Sequence, residues 1–190
     1  MAAWRQGKYM RVYNNRNGWI LVVERWQRKT HDCVYSQPLA SSIGLDILRQ
    51  GGNAADAAVA VAAALAVTEP CSTGLGGDMF CLYYDQTKRK VLAVNGSGKS
   101  PAALTHELLC KTYPDGKGGV DADAFRESPH SVTVPGSARG WEDTLNRLGS
   151  GKFTFAQLLE PAAKLAEDGF PVTPVTSYLW RSVMDLITPW

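Results

Sequence analysis

Several short stretches hold residue types that could do chemistry. Thr105-His106-Glu107 sets a hydroxyl beside an imidazole and a carboxylate, the groups of an activated nucleophile and its base. Adjacent residues on a helix point to different sides, however, so this spacing does not put the hydroxyl on its base. Thr105 is instead expected to cap a helix and His106 to be solvated. Gly74-Leu75-Gly76-Gly77 has the glycine density of a phosphate cradle. Such cradles follow a strand and open a helix, whereas this one follows a helical pattern and opens a strand, so a tight helix-to-strand turn is expected. Gly96-Ser97-Gly98-Lys99-Ser100 contains the letters of a P-loop end, but the glycine required five positions before Gly98 is Ala93. Asp56 is better placed as a partner of a helix dipole than as a catalytic acid. His31 and His130 have no evident partner and are expected at the surface. Cys33, Cys71, Cys81 and Cys110 form no CxxC pair and no zinc spacing, and are expected as free, mostly buried thiols. No metal site and no cofactor site is expected.

The elements that must position these residues begin at Gln37. Ser41 or Ser42 can cap a helix whose apolar positions Ile43, Ile47 and Leu48 recur at helical spacing. Gly51-Gly52 ends it. Asn53 then caps a helix to about Thr68 whose only charge is Asp56, and a helix apolar all round has to be buried. After the glycine turn, Met79 to Tyr84 and Lys90 to Val94 form a hairpin around the polar turn Asp85 to Arg89, with the near-continuous apolar character of a sheet covered on both faces. A loop from Asn95 to Pro101 follows, then a short helix from Thr105 to Lys111 and a Gly- and Asp-rich loop from Tyr113 to about Asp123. Ser131 to Val134 reads as a short strand. Helices are expected from about Ala138 to Leu148, from Phe153 to Glu167 with a kink at Pro161, and after a Thr173 cap. The strands counted are too few to cover these helices, so the organisation is expected to be incomplete.

Composition narrows the function classes. With 45% hydrophobic and 20% charged residues in 190, the chain can build one globular core. Its net charge of +2 is too small to call for a nucleic-acid or anionic-membrane partner. Residues 1–36 carry seven cations against two acids, a net +5 that leaves −3 for the rest. They are expected to form a basic, poorly ordered extension, with Val12-Tyr13 and Ile20 to Val23 able to form short strands about a turn at Asn14 to Gly18. The run Trp19 to Val23 is too short for a membrane span of ~20 residues or a signal-peptide core of ~7–15. No membrane span is expected, and the cytoplasm is the default compartment.

Four segments, in order and in register, carry a family resemblance. They are Ser41 to Leu48 running into Gly51 to Ala60, Gly74-Leu75-Gly76-Gly77-Asp78-Met79-Phe80, Val132-Thr133-Val134-Pro135-Gly136 followed by Gly140-Trp141, and Glu160-Pro161-Ala162-Ala163-Lys164-Leu165-Ala166-Glu167-Asp168-Gly169-Phe170. Together they resemble the N-terminal part of the large subunit of the γ-glutamyltranspeptidase (γ-glutamyltransferase, glutathione hydrolase) family. The resemblance implies an α/β (α+β) fold, an incomplete portion of the αββα sandwich of the N-terminal nucleophile hydrolases, over residues 37–190. It also implies a precursor cut into two subunits. The new N-terminal Thr of the small subunit attacks a γ-glutamyl amide with its own α-amino group as base, and water or an amino acceptor resolves the acyl-enzyme.

By that resemblance the nucleophile and most of the oxyanion site lie on the other half, so no catalytic residue is expected here. The implied partners are the C-terminal half, or small subunit, and a glutathione-like substrate. One substrate contact falls within the chain. Family members carry an Arg on the loop after the second strand that grips the α-carboxylate of the γ-glutamyl group. The matching position is Ser97, with Lys99 two residues on as a substitute charge. A lysine is a point charge and lacks the bidentate fork of a guanidinium, so an amide other than γ-glutamyl enters as an alternative substrate. Two further readings stand beside the enzyme fragment: a non-catalytic short form that binds a partner through its sheet edge and helix faces, and a truncated reading frame.

Overall fold

The computed structural model describes residues 22–23, 32–33, 37–70 and 72–187. Two residue pairs open the chain: β1 (Val22–Val23) lies antiparallel to β2 (Asp32–Cys33). The expected strand at Val12-Tyr13, its turn, His31 and Cys71 lie outside the described residues.

Helix α1 (Pro38–Arg49) starts earlier than its serines imply. Gln37 is the cap: its side-chain oxygen accepts from the Leu39 N–H at 3.3 Å, and Pro38 takes the first helical position, where its fixed φ and missing N–H cost nothing. Ser41 therefore lies inside the first turn. Helix α2 (Ala54–Thr68) carries a reciprocal capping box, with Asn53 accepting from the Ala55 and Asp56 N–H groups and Asp56 accepting from the Asn53 N–H at 2.8 Å. Nearly the whole of α2 is buried, as an all-apolar helix demands. Its alanines let α1 approach one side and α6 (Phe155–Asp168) another. Ile47 and Leu48 of α1, Leu158 and Ala162 of α6, and Trp141 of α5 (Ser137–Leu148) complete that core. Thr154 and Gln157 form a second capping box at the start of α6, and Pro161 is accommodated inside the helix.

The hairpin has the expected register: β3 (Met79–Asp85) and β4 (Lys90–Gly96) pair antiparallel from Met79 opposite Gly96 to Asp85 opposite Lys90. Its turn is held by the Asp85 carboxylate, which accepts from the Thr87 and Lys88 N–H groups at 3.0 Å each. These donors and the Lys88 ammonium lower the Asp85 pKa. One face of the hairpin packs on the helices through Met79, Cys81, Tyr83, Leu92 and Val94, against Ala55 and Leu148. The other face presents Phe80, Leu82, Tyr84 and Val91 as exposed, so among the described residues the helices cover the sheet on one face only.

Two elements depart from the sequence pattern. Ser131 to Val134 forms no strand. A 3-10 turn runs over Pro129–Ser131, and the extended segment after it has one backbone bond to a neighbouring segment before Pro135, from the Val134 N–H to the Lys99 carbonyl at 3.1 Å. Val132 and Val134 are each 65% exposed, so the alternation there marks no buried face. The expected loop from Tyr113 contains a short helix, α4 (Ala122–Arg126), capped by the Asp121 carboxylate. Helix α3 (His106–Thr112) is capped by Thr105 as anticipated, and α7 (Pro174–Ile187) by Thr173. Among the described residues no helix is long and apolar enough to cross a membrane.

Candidate functional site

The glycine turn after α2 brings two distant segments together. Its last residue, Gly77, offers one carbonyl oxygen to three donors: the Gly136 N–H at 3.1 Å, the Ser137 N–H at 3.0 Å and the Ser137 hydroxyl at 2.7 Å. The next residue, Asp78, does the same with its carboxylate. Oδ1 accepts from the Gly98 N–H at 2.7 Å and the Thr133 hydroxyl at 3.1 Å, and Oδ2 from the Ser97 hydroxyl at 3.4 Å. Ser97 also donates its N–H to the Asn95 side chain at 2.9 Å. The loop after β4 is thereby stitched to the segment that leads into α5.

That seam is close. A Cβ on Gly98 would collide with the Val134 carbonyl oxygen, and one on Gly136 with the Gly96 carbonyl oxygen. Glycine at these two positions is a requirement of space rather than of backbone angle. Gly140, one helical turn on, makes room for the Met79 side chain.

Above the seam lies an open cleft of about 300 Å³. Ser97 and Lys99 line it together with Pro135 and with Arg139 and Asp143 of α5. Arg139 is held along its helix by Glu142 at 3.2 Å and Asp143 at 3.0 Å. Lys99 makes no ion pair with a described residue. The two residues singled out from the sequence, Ser97 and Lys99, thus line one cleft; the structure adds Arg139 and Asp143 to its lining and Asp78 to the seam. Arg139 and Asp143 were not legible because nothing local joins them to the loop some forty residues before. Asp78 carried a signal: a carboxylate between a glycine turn and an apolar strand is out of place unless it has donors to collect.

The remaining candidates fall elsewhere. Thr105 Oγ1 accepts from the Leu108 N–H at 3.2 Å, which commits the hydroxyl to its cap. His106 is exposed and its Nδ1 lies 3.6 Å from the Cys110 thiol one turn on. Neither lines the cleft. His130, expected to be without a partner, meets the Tyr113 hydroxyl at 2.7 Å and the Tyr113 ring edge to face, which ties α3 to the end of the loop. Asp56 has a second task besides its cap, accepting from the Ser150 N–H at 3.2 Å. Cys81 and Cys110 are free thiols. Burial on the covered face of the hairpin raises the Cys81 pKa, which the neighbouring Thr144 hydroxyl opposes. No cluster of three or more metal-ligating side chains occurs among the described residues.

The family model of γ-glutamyltranspeptidase matches residues 40–189. A glutathione hydrolase-like proenzyme of Bacillus subtilis is 42% identical over 135 residues, covering 71% of this chain and 24% of the relative. Among solved structures, the γ-glutamyltranspeptidase of Helicobacter pylori superposes with a TM-score of 0.72 at 30% identity, over 84% of this chain and 44% of that one. The cephalosporin acylase of Bacillus halodurans superposes with a TM-score of 0.65 at 38% identity, over 82% and 27% respectively. The chain spans about a quarter of the length of the curated relatives it matches. Its mixed helices and hairpin are part of the N-terminal nucleophile hydrolase fold of those neighbours. With matching residues running through the capped helix α2, the Gly77–Asp78 seam and α6, the chain belongs to the γ-glutamyltranspeptidase family.

Proposed function

We propose that this chain is the large-subunit portion of an amide-cleaving γ-glutamyl hydrolase or transferase and supplies one wall of its acyl-binding cleft. The observation that carries the reading is the cleft itself, which Ser97 and Lys99 line together with Arg139 and Asp143 of α5. The attacking Thr hydroxyl and its α-amino base come from the small subunit. In this division of labour the large-subunit wall binds and orients the acyl group. Orientation is a large part of acyl transfer, because a fixed amide carbonyl no longer has to find the nucleophile by diffusion. Lys99 is the charge available to a substrate carboxylate, acting through a flexible stem rather than a planar fork.

A second substrate reading has its own support. The absence of a guanidinium at position 97 and the likeness to the cephalosporin acylase both favour an acyl group other than γ-glutamyl.

The test is turnover of γ-glutamyl-p-nitroanilide beside other acyl anilides. The 190-residue chain is assayed alone and coproduced with the whole of the Bacillus subtilis glutathione hydrolase-like relative that follows the matched region. The chain alone is expected to be inactive and the pair active. Lys99→Ala should raise KM about tenfold or more, the loss of one charge-assisted contact of roughly 1.5–3 kcal/mol. Turnover by the chain alone would overturn the division of labour. Cleavage of another acyl anilide with none of the γ-glutamyl substrate would establish the second substrate reading.

A further inference from the structure

We infer that Asp78 is a positioning residue: its carboxylate holds the Ser97–Lys99 loop against the Thr133–Gly136 segment and so sets the wall of the cleft. This rests on the acyl-binding reading of that cleft. Three observations carry it. First, the Asp78 side chain bonds both segments, reaching Gly98 and Ser97 on one and Thr133 on the other, across 20, 19 and 55 residues of sequence. Second, the bond to Gly98 is the shortest of the three at 2.7 Å, and it fixes the backbone immediately before Lys99. Charge-assisted bonds to an amide N–H are the stronger kind, so this one has the leverage to hold a loop. Third, Asp78 does not itself line the cleft, whereas Ser97, Gly98 and Lys99 do. Its action on a substrate therefore passes through the loop.

A carboxylate is suited to this place. All three partners are donors, and Asp presents acceptor lone pairs only. Asparagine keeps an acceptor oxygen for Gly98 and Thr133 and turns its NH₂ toward Ser97, whose hydroxyl can rotate to accept. Alanine keeps nothing. The two variants therefore separate the hydrogen bonds from mere occupancy of the site.

The experiment has two arms. In the 190-residue chain, amide hydrogen exchange is followed by NMR for Asp78→Ala and Asp78→Asn. Asp78→Ala is expected to speed exchange at Gly98 and Val134 by roughly tenfold or more while the α2 amides stay protected, since only local opening is released. Asp78→Asn should stay near wild type. Unchanged exchange at Gly98 in Asp78→Ala overturns the proposal. If Asp78→Ala does not fold, Thr133→Val takes its place. It leaves the carboxylate and the Gly98 bond intact, so faster exchange confined to Val134 supports the proposal and none overturns it.

In the second arm the coproduced pair is assayed for anilide turnover. Asp78→Ala should raise KM by about tenfold with kcat little changed, and Asp78→Asn should restore KM, because binding shared by the ground and transition states is what is lost. Faster exchange with an unchanged KM would show a loop that is held but not used, which overturns the positioning role and leaves the amide-cleaving reading standing. A wild-type pair without turnover on any acyl anilide removes that reading and the positioning role with it, and the exchange result then describes the seam alone.

Discussion

Asp56 shows how one side chain can serve two elements. It caps α2 through the Asn53 N–H and also receives the Ser150 N–H from the turn after α5, while being wholly buried. Removing a buried acceptor leaves its donors unmade, and each such loss costs about 1–3 kcal/mol. Asp56→Ala is therefore expected to destabilise the chain by roughly 2–5 kcal/mol, read as a lower urea midpoint. Asp56→Asn should recover part of this, because one amide oxygen can still accept. The cap was legible, since Asn53 and Asp56 stand three residues apart at the head of an apolar run. The reach to Ser150 was not, because a separation of 94 residues leaves no local pattern. His130 was misjudged for the same reason: its partner Tyr113 lies 17 residues back across a loop and a short helix.

At the scale of elements, α2 sets the spacing of the helical layer. Ala57, Ala60 and Ala64 are wholly buried, and larger side chains there would meet α1 or α6. Ala60→Leu is expected to destabilise by roughly 1–3 kcal/mol through overpacking, checked by the thermal midpoint against wild type. The helices and the hairpin could be read from the sequence because apolar periodicity and turn residues agree there. Ser131 to Val134 misled because alternating valines resemble a strand, yet a strand exists only where another strand pairs with it, and Thr133 gives its hydroxyl to Asp78 instead. The start of α1 misled because serines are the commoner caps, while Gln37 followed by Pro38 does the work. The cleft was half legible: Ser97 and Lys99 followed from the family resemblance, whereas Arg139 and Asp143 needed the fold to bring α5 alongside.

For the whole molecule, the hairpin lies between a covered face and an exposed one. Leu82 at 66% and Val91 at 57% exposure belong to a layer that the αββα sandwich of this fold closes with a second sheet, stacked about 10 Å away. Cys81 reports on the covered side. Its folded pKa is raised above the ordinary 9.0, so the thiol loses its proton more readily in the unfolded chain, and the stability it contributes falls as pH rises through and beyond that value. Urea midpoints at pH 7 and pH 10 should therefore differ more for wild type than for Cys81→Ala. The Gly77–Asp78 seam carries a different lesson for mutagenesis. Two of its six bonds are main chain to main chain, because the Gly77 oxygen and two of its three donors belong to peptide groups. A side-chain scan is blind to those two bonds and will credit the junction to Asp78, Thr133 and Ser137 alone. Only a backbone edit, such as an ester in place of the amide at Gly136, can weigh that hidden share.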